Sequence, residues 1–256
     1  MQIDAIPKRS ADAAGRPGPI AATWLGPVPY REAWGLQKRL AGLRADGLVG
    51  DQLLLLEHPP VLTLGRHADE GHVLADAAEL TRRGIEVVRV ERGGEVTYHG
   101  PGQLVAYPIL RLADRDLLLR PFVRALEAAM VATCAAFDID AGRRDGHPGC
   151  WCDADGSLPR KIGALGIRVE RGVSYHGIAL NVDPVLADFE LIDPCGVPGL
   201  ASTSVAAELR RSGRDDDAAR GAAAVERAAV TFATELGARL DAGIAWASPR
   251  PMAATA

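Results

Sequence analysis

The sequence predicts an α/β protein organised as one domain, and three observations carry that prediction. Short β-rich runs punctuated by glycine and proline fill residues 53–110, two longer runs follow between 161 and 182, and segments with a helical apolar period stand before, between and after them. No Pro/Ser linker, long charge run or internal repeat divides the 256 residues. A hydrophobic share of 48% against 24% charged suffices for a sizeable core, which excludes a chain disordered throughout.

The elements follow in order. Met1 to Ile20 is polar and rich in Ala, Gly and Pro, with no apolar core of a signal peptide, so residues 1–20 are expected as a loose leader to a domain over 21–245. Tyr30 to Leu43 repeats apolar residues at helical spacing and meets a stop at Gly47. Leu53–Glu57, Val61–Leu64, Glu86–Val90, Val96–Tyr98 and Leu104–Leu110 are expected as strands of one sheet. A helix is expected from about Pro121 to Phe137, with proline early and Phe122, Leu126, Met130 and Cys134 recurring every fourth residue. Lys161–Val169 and Val173–Val182 form a hairpin around Arg171-Gly172. Thr203-Ser204-Val205 caps a short helix to Arg211, and an Ala-rich helix runs from about Asp216 to Leu240. The tail, Trp246 to Ala256, has no periodicity.

Composition narrows function. A net charge of -4 gives no basic field for nucleic acid or an anionic membrane. The longest apolar candidate, Leu53 to Leu64, is broken by Glu57-His58-Pro59-Pro60, so no membrane span is expected. Four cysteines in a chain this long are not a disulfide framework, and a reducing cytoplasm is the expected compartment.

The chemistry centres on Cys195. It stands in Asp193-Pro194-Cys195-Gly196-Val197-Pro198-Gly199, which cannot continue as a helix or central strand, so its sulfur is held on a stiff loop. Lys161, the only lysine after Lys38, lies thirty-four residues earlier. Thiolate is the reactive form of cysteine and a nearby ammonium favours it, so the two read as a nucleophile and its activator. Three glycine-bearing segments frame them. Arg92-Gly93-Gly94-Glu95-Val96-Thr97-Tyr98-His99 runs on to Gly100 and Gly102, Lys161 leads into Gly163-Ala164-Leu165-Gly166, and Tyr175-His176-Gly177 repeats the aromatic-His-Gly pattern of Tyr98-His99-Gly100. Backbone can approach a ligand closely at such places, and N–H groups beside Lys161 could serve as an oxyanion hole. Neither a P-loop nor a Rossmann fingerprint is present.

Glu57-His58-Pro59-Pro60 with Thr63-Leu64-Gly65-Arg66, Arg92-Gly93-Gly94 through Gln103, Lys161-Ile162-Gly163-Ala164-Leu165-Gly166, His176 to Asn181, and Pro194-Cys195-Gly196 occur in one order. In that order and spacing the chain resembles the octanoyltransferase family of lipoate biosynthesis, from about Trp24 to Leu240. The resemblance implies the biotin/lipoate protein ligase-like fold, a large mixed sheet flanked by helices. It implies transfer of octanoyl from acyl carrier protein to a lysine of lipoyl domains, those of 2-oxoacid dehydrogenase complexes and the glycine cleavage H protein. It places the thioester on Cys195 and the lowering of its pKa on Lys161. It lays the acyl chain along Arg92 to His99, along Ala164, Leu165 and Gly166, and along Gly177, Ile178 and Ala179. A thioester donor is already activated, so neither metal nor other cofactor is expected. Burying roughly six methylenes would anchor the chain by about 5 kcal/mol.

Other residues have plainer readings. Cys134 sits on a small-residue helix and is read as packing. Cys150-Trp151-Cys152 with His147 lacks the spaced second ligand pair of a zinc site, and its thiols depart from the apolar residues that usually flank this tryptophan in the family. His99 and His176 are secondary candidates for a chemical role, His58 for holding a loop, and Arg143, Arg144 and Arg160 for a rim facing an acidic carrier. The alternatives are an ATP-dependent lipoate ligase, which would not need Cys195, and a non-catalytic acyl-binding homologue.

Overall fold

The computed structural model describes residues 18–194, 197, 199–214 and 216–247. The N-terminal leader up to residue 17, Cys195 and the end of the tail lie outside them.

Eight strands form one mixed sheet in the order β11-β1-β2-β6-β10-β9-β8-β7. In chain order these are β1 (Ile20–Pro27), β2 (Gln52–Glu57), β6 (Gln103–Ile109), β7 (Gly142–Arg144), β8 (His147–Cys152), β9 (Arg160–Glu170), β10 (Val173–Asn181) and β11 (Ile244–Trp246). β1 is parallel to both neighbours, and the rest of the sheet is antiparallel. The hairpin expected at Arg171-Gly172 joins β9 to β10, with both turn residues at positive φ, +49° and +79°, as a tight two-residue turn between twisted strands requires.

The expectation of one sheet is corrected at residues 61–99. There β3 (Val61–Leu64), β4 (Glu86–Arg89) and β5 (Val96–His99) make a separate three-stranded sheet in the order β4-β3-β5. Pro59-Pro60 turns the chain out of the large sheet after Glu57, because proline cannot donate to a ladder. The chain returns at Gly102, whose N–H donates to the Glu57 carboxylate at 2.6 Å, so departure and return are tied together.

Helices cover both faces of the large sheet. α1 (Tyr30–Ala45) packs Ala33, Leu36 and Leu40 onto Leu54, Leu56, Val105 and Ile109. α3 (Leu119–Ala135) and α5 (Gly221–Arg239) cover the other face, where Phe122, Leu126, Met130 and Cys134 meet Leu53, Leu55, Leu104 and Phe232. The four-residue spacing read from the sequence is thus the buried stripe of α3. α2 (Ala77–Arg82), capped by the Asp76 carboxylate on the Glu79 N–H at 2.8 Å, closes the small sheet. α4 (Val205–Arg211) is capped by Ser204 Oγ on the Ala207 N–H at 3.2 Å. The Ala-rich helix begins later than Asp216, since Arg220 is extended and a 3-10 turn at Asp217–Ala219 precedes α5. β1, β7, β8 and β11 add to the expected elements, and Trp246, expected in the tail, is the last residue of β11. Among the described residues no helix is long and apolar enough to cross a membrane.

Candidate active site

Alternation along β8 settles its thiols. Cys150 and Cys152 point into the core beneath the sheet, where Cys150 Sγ lies 4.0 Å from Cys134 Sγ. Burial pushes the Cys152 thiol up to about 12, which keeps it protonated and inert. Trp151, between them, faces a cavity on the opposite side. Among the described residues no group of three or more His, Cys, Asp or Glu could hold a metal ion.

That cavity, of about 930 Å³, lies between β9 and β10 of the large sheet and, in the small one, the loop over 92–95 together with β5. β9 and β10 pair Gly166 with Gly177, Leu165 with Ile178 and Ala164 with Ala179, so the two segments singled out separately form one continuous wall. Arg92, Gly93, Gly94, Glu95, Val96, Thr97 and His99 line the opposite wall. The Arg92 guanidinium donates to the Thr63 carbonyl at 2.6 Å and to Thr63 Oγ1 at 2.9 Å, which fixes the loop on β3. The walls touch where Gly166 meets the loop, because a Cβ there would stand 2.7 Å from the Gly93 carbonyl oxygen. Tyr98 departs from its neighbours. Its ring packs on Phe189 with centroids 5.2 Å apart and its hydroxyl donates to Asp188 at 2.7 Å, away from the cavity.

Lys161 lines the cavity with its Nζ 5.0 Å from the Trp151 ring centroid, a cation–π contact of about 0.5–2 kcal/mol. Gly149 makes room for the lysine stem. At φ +135° a Cβ would lie 2.5 Å from the Gly163 carbonyl oxygen and 2.8 Å from Lys161 Cε. The Gly149 N–H donates to the buried Glu127 carboxylate at 3.0 Å, which holds this stretch of backbone down. The Lys161 main chain is clamped by the segment beyond Cys195. Its N–H donates to the Ala201 carbonyl at 2.8 Å and its carbonyl accepts from the Thr203 N–H at 2.9 Å.

A buried polar chain links this clamp to the deep end of the cavity. His99 Nδ1 donates to Gln103 Oε1 at 2.7 Å, Gln103 Nε2 to Asn181 Oδ1 at 2.9 Å, and Asn181 Nδ2 to the Thr203 carbonyl at 2.9 Å. Thr203 Oγ1 donates to Glu208, which also accepts both arms of Arg160 at 2.7 and 2.9 Å. Arg160 is thereby committed to an internal ion pair and is no free rim charge, while the half-exposed Arg144 at the cavity wall donates to the Ala154 carbonyl at 2.6 Å and lies over the Trp151 ring. Burial lowers the pKa of His58 to about 4, His99 to about 3 and His176 to about 4, so all three imidazoles are neutral. His58 is structural, donating from Nδ1 to the Val28 carbonyl and accepting the Tyr107 hydroxyl at Nε2, each at 2.7 Å. Tyr30, Tyr107, Gly149 and Trp151 were absent from the sequence-predicted site. Leu119, Leu158 and Val197, each more than a third exposed, form an apolar mouth.

The mixed α/β body thus carries a largely apolar cavity with a single lysine, Lys161, among its lining residues. The chain belongs to the lipoyl protein ligase A/B catalytic domain family, which matches residues 29–224. It is 47% identical over 189 residues to an octanoyltransferase of Chloroflexus aggregans, covering 73% of this chain and 84% of that protein. It is 45% identical over 200 residues to an octanoyltransferase of Rhodococcus opacus, covering 76% and 74%. The fold is that of lipoate protein ligases. An archaeal bipartite lipoate protein ligase from Thermoplasma acidophilum superimposes with a TM-score of 0.60 at 14% identity over 91% of this chain and 87% of that one. A lipoate-protein ligase A bound with ATP gives 0.61 at 13% identity over 91% of each chain.

Proposed function

We propose that this chain is an octanoyltransferase that carries the acyl group on Cys195 and passes it to a lysine of a lipoyl domain. The reading is carried by the identity of 45–47% to octanoyltransferases over about three quarters of the chain. Cys195 lies outside the described residues, and its neighbours support its role. Val197 lines the same cavity as Lys161, and the Val197 N–H donates to the Pro194 carbonyl at 3.2 Å.

The reaction proceeds in two halves. The Cys195 thiolate, favoured by the Lys161 ammonium, attacks the thioester carbon of octanoyl acyl carrier protein. The carrier sulfur leaves with the electron pair of the broken C–S bond and takes the proton from Lys161. A lipoyl-domain lysine amine then attacks the Cys195 thioester, the Cys195 sulfur leaves, and Lys161 accepts the proton released by the amine. The carrier arm enters at the apolar mouth, and the half-exposed Arg144 faces an acidic carrier surface. The compartment is the cytoplasm.

The test is intact-protein mass spectrometry after incubation with octanoyl carrier protein, in the presence of a chelator and without ATP. An octanoyl increment that hydroxylamine removes, and that Cys195→Ser fails to form as a thioester, is expected. Acylation of Cys134, Cys150 or Cys152 with Cys195 untouched refutes the assignment, and an absolute requirement for ATP favours a ligase.

A further inference from the structure

Lys161 owes its direction to irregular backbone. Along β8 and β9, Trp151 pairs with Lys161 and Cys150 with Gly163, so Ile162 has no partner of its own and forms a one-residue bulge beside the lysine. A bulge re-aims the side chain next to it. β8 pairs with β9 no further than Cys150, because Gly149 at φ +135° turns out of the ladder, and the Lys161 stem rests over that glycine. A Cβ on Gly149 would stand 3.5 Å from Lys161 Nζ itself. Whatever fixes Gly149 therefore fixes the floor on which the lysine lies.

Glu127 fixes it. This residue is 1% exposed on the buried face of α3, among Phe122, Leu126, Met130 and Cys134. Its Oε1 accepts the Gly149 N–H at 3.0 Å, and its Oε2 accepts from the half-exposed Arg124 at 2.8 Å. Stability alone does not account for such a carboxylate, since replacing a buried ion pair by apolar residues of similar volume is often neutral or stabilising. The Gly149 N–H does account for it. Turned away from β9 into an apolar core, that donor would be left unpaired without Glu127, and the peptide that carries it would reorient under the lysine.

We propose that Glu127 is a positioning residue for acyl transfer, its hydrogen bond to Gly149 setting where the Lys161 amine stands. It acts through backbone, since Glu127 is not part of the cavity lining. This rests on the reading that Lys161 supplies and accepts the protons of octanoyl transfer. The test compares kcat and KM for octanoyl carrier protein in two variants that separate reach from charge, with rates referred to the folded fraction measured by circular dichroism. Glu127→Gln loses the charge but keeps an oxygen for the Gly149 N–H, and should stay within about threefold of the wild-type kcat. Glu127→Asp keeps the charge but draws the carboxylate back by roughly one bond, about 1.2 Å, which takes the 3.0 Å contact beyond hydrogen-bond range. It should lower kcat by about 10- to 100-fold, as misplacement on the order of 1 Å does, while KM stays within about threefold. A second measurement asks whether the loss runs through the lysine. In protein already carrying Lys161→Ala, Glu127→Asp should slow single-turnover transfer no further, whereas independent effects would multiply. A wild-type kcat in Glu127→Asp, a Glu127→Gln variant as slow as Glu127→Asp, or further slowing in the Lys161→Ala background overturns the positioning role while octanoyl transfer persists. A wild-type protein that transfers no octanoyl, or a Lys161→Ala protein as active as the wild type, overturns the parent reading and the positioning role with it.

Discussion

Replacing Gly149 by alanine tests whether backbone, rather than any side chain, sets the position of Lys161. The new Cβ would stand 2.5 Å from the Gly163 carbonyl oxygen, which cannot yield without parting β8 from β9, and 2.8 Å from Lys161 Cε. The residue would also keep φ +135°, which L side chains rarely adopt. Backbone strain of about 1–3 kcal/mol and overpacking of similar size together cost roughly 2–6 kcal/mol. For a domain of this size that lowers Tm by roughly 4–24 °C. The lysine, pushed off Trp151, loses its aim, and misplacement by about 1 Å slows transfer on the order of 10²-fold. Thermal unfolding by circular dichroism and single-turnover octanoyl transfer at a temperature where the variant is folded measure the two effects. A variant that melts within about 2 °C of the wild type, inside the smallest expected shift, and transfers at the wild-type rate refutes the reasoning.

Three further outcomes are expected. Lys161→Ala should slow both half-reactions by roughly 10²–10⁴-fold, while Lys161→Arg keeps the charge that favours the Cys195 thiolate and still fails in turnover, which the pH dependence of Cys195 alkylation separates from the transfer rate. Glu208→Gln leaves the 14%-exposed Arg160 side chain with only the longer pair to Asp153 at 3.9 Å and should cost about 1–3 kcal/mol in urea unfolding, and an unchanged midpoint would count against the ion pair as a structural tie. The third outcome concerns acid. Burial holds His58, His99 and His176 near pKa 4, 3 and 4 against about 6.5 in the unfolded chain. Their neutrality therefore contributes stability that is fully present above about pH 6.5 and is lost as pH falls toward 4, by up to about 1.4 kcal/mol per pH unit for each imidazole. His58→Gln should flatten that acid slope in urea titrations between pH 6.5 and 4, and an undiminished slope would show that His58 does not contribute.

Much of the architecture was legible because its signals are local. Phe122, Leu126, Met130 and Cys134 announce α3 by spacing alone, and Arg171-Gly172 announces a two-residue hairpin by its turn chemistry. β1 carries a weaker signal, with Ala21, Ala22, Gly26 and Pro27 among its eight residues, and becomes a strand because β2 and β11 pair with it from both sides. The small sheet was hidden for a similar reason, since the runs at 61–64 and 96–99 look like any other strands and only tertiary pairing sorts them from 52–57. In the site, the segments around Arg92, Ala164 and Gly177 showed themselves through glycine in apolar surroundings. Trp151 did not, because Pro148 and Gly149 break the alternation that would mark β8, and its flanking thiols draw attention to themselves. Tyr30 and Tyr107 reach the cavity from elements distant in sequence, which no local pattern records.

The pairing of β1 with β11 bears on how the chain is made. Ile20 lies beside Ile244, a partner that a ribosome adding 5–20 residues per second supplies roughly 10–45 seconds later. Until then β1 can pair with β2 but keeps an open edge at Ile20–Ala22, and the helix that seals the face beneath it, α5, is also late in synthesis. An unpaired strand edge over apolar surface is what neighbouring nascent chains recruit into aggregates. Truncations ahead of Ile244 should therefore reach inclusion bodies while still carrying every cavity residue, which makes the final strand a determinant of yield rather than of chemistry.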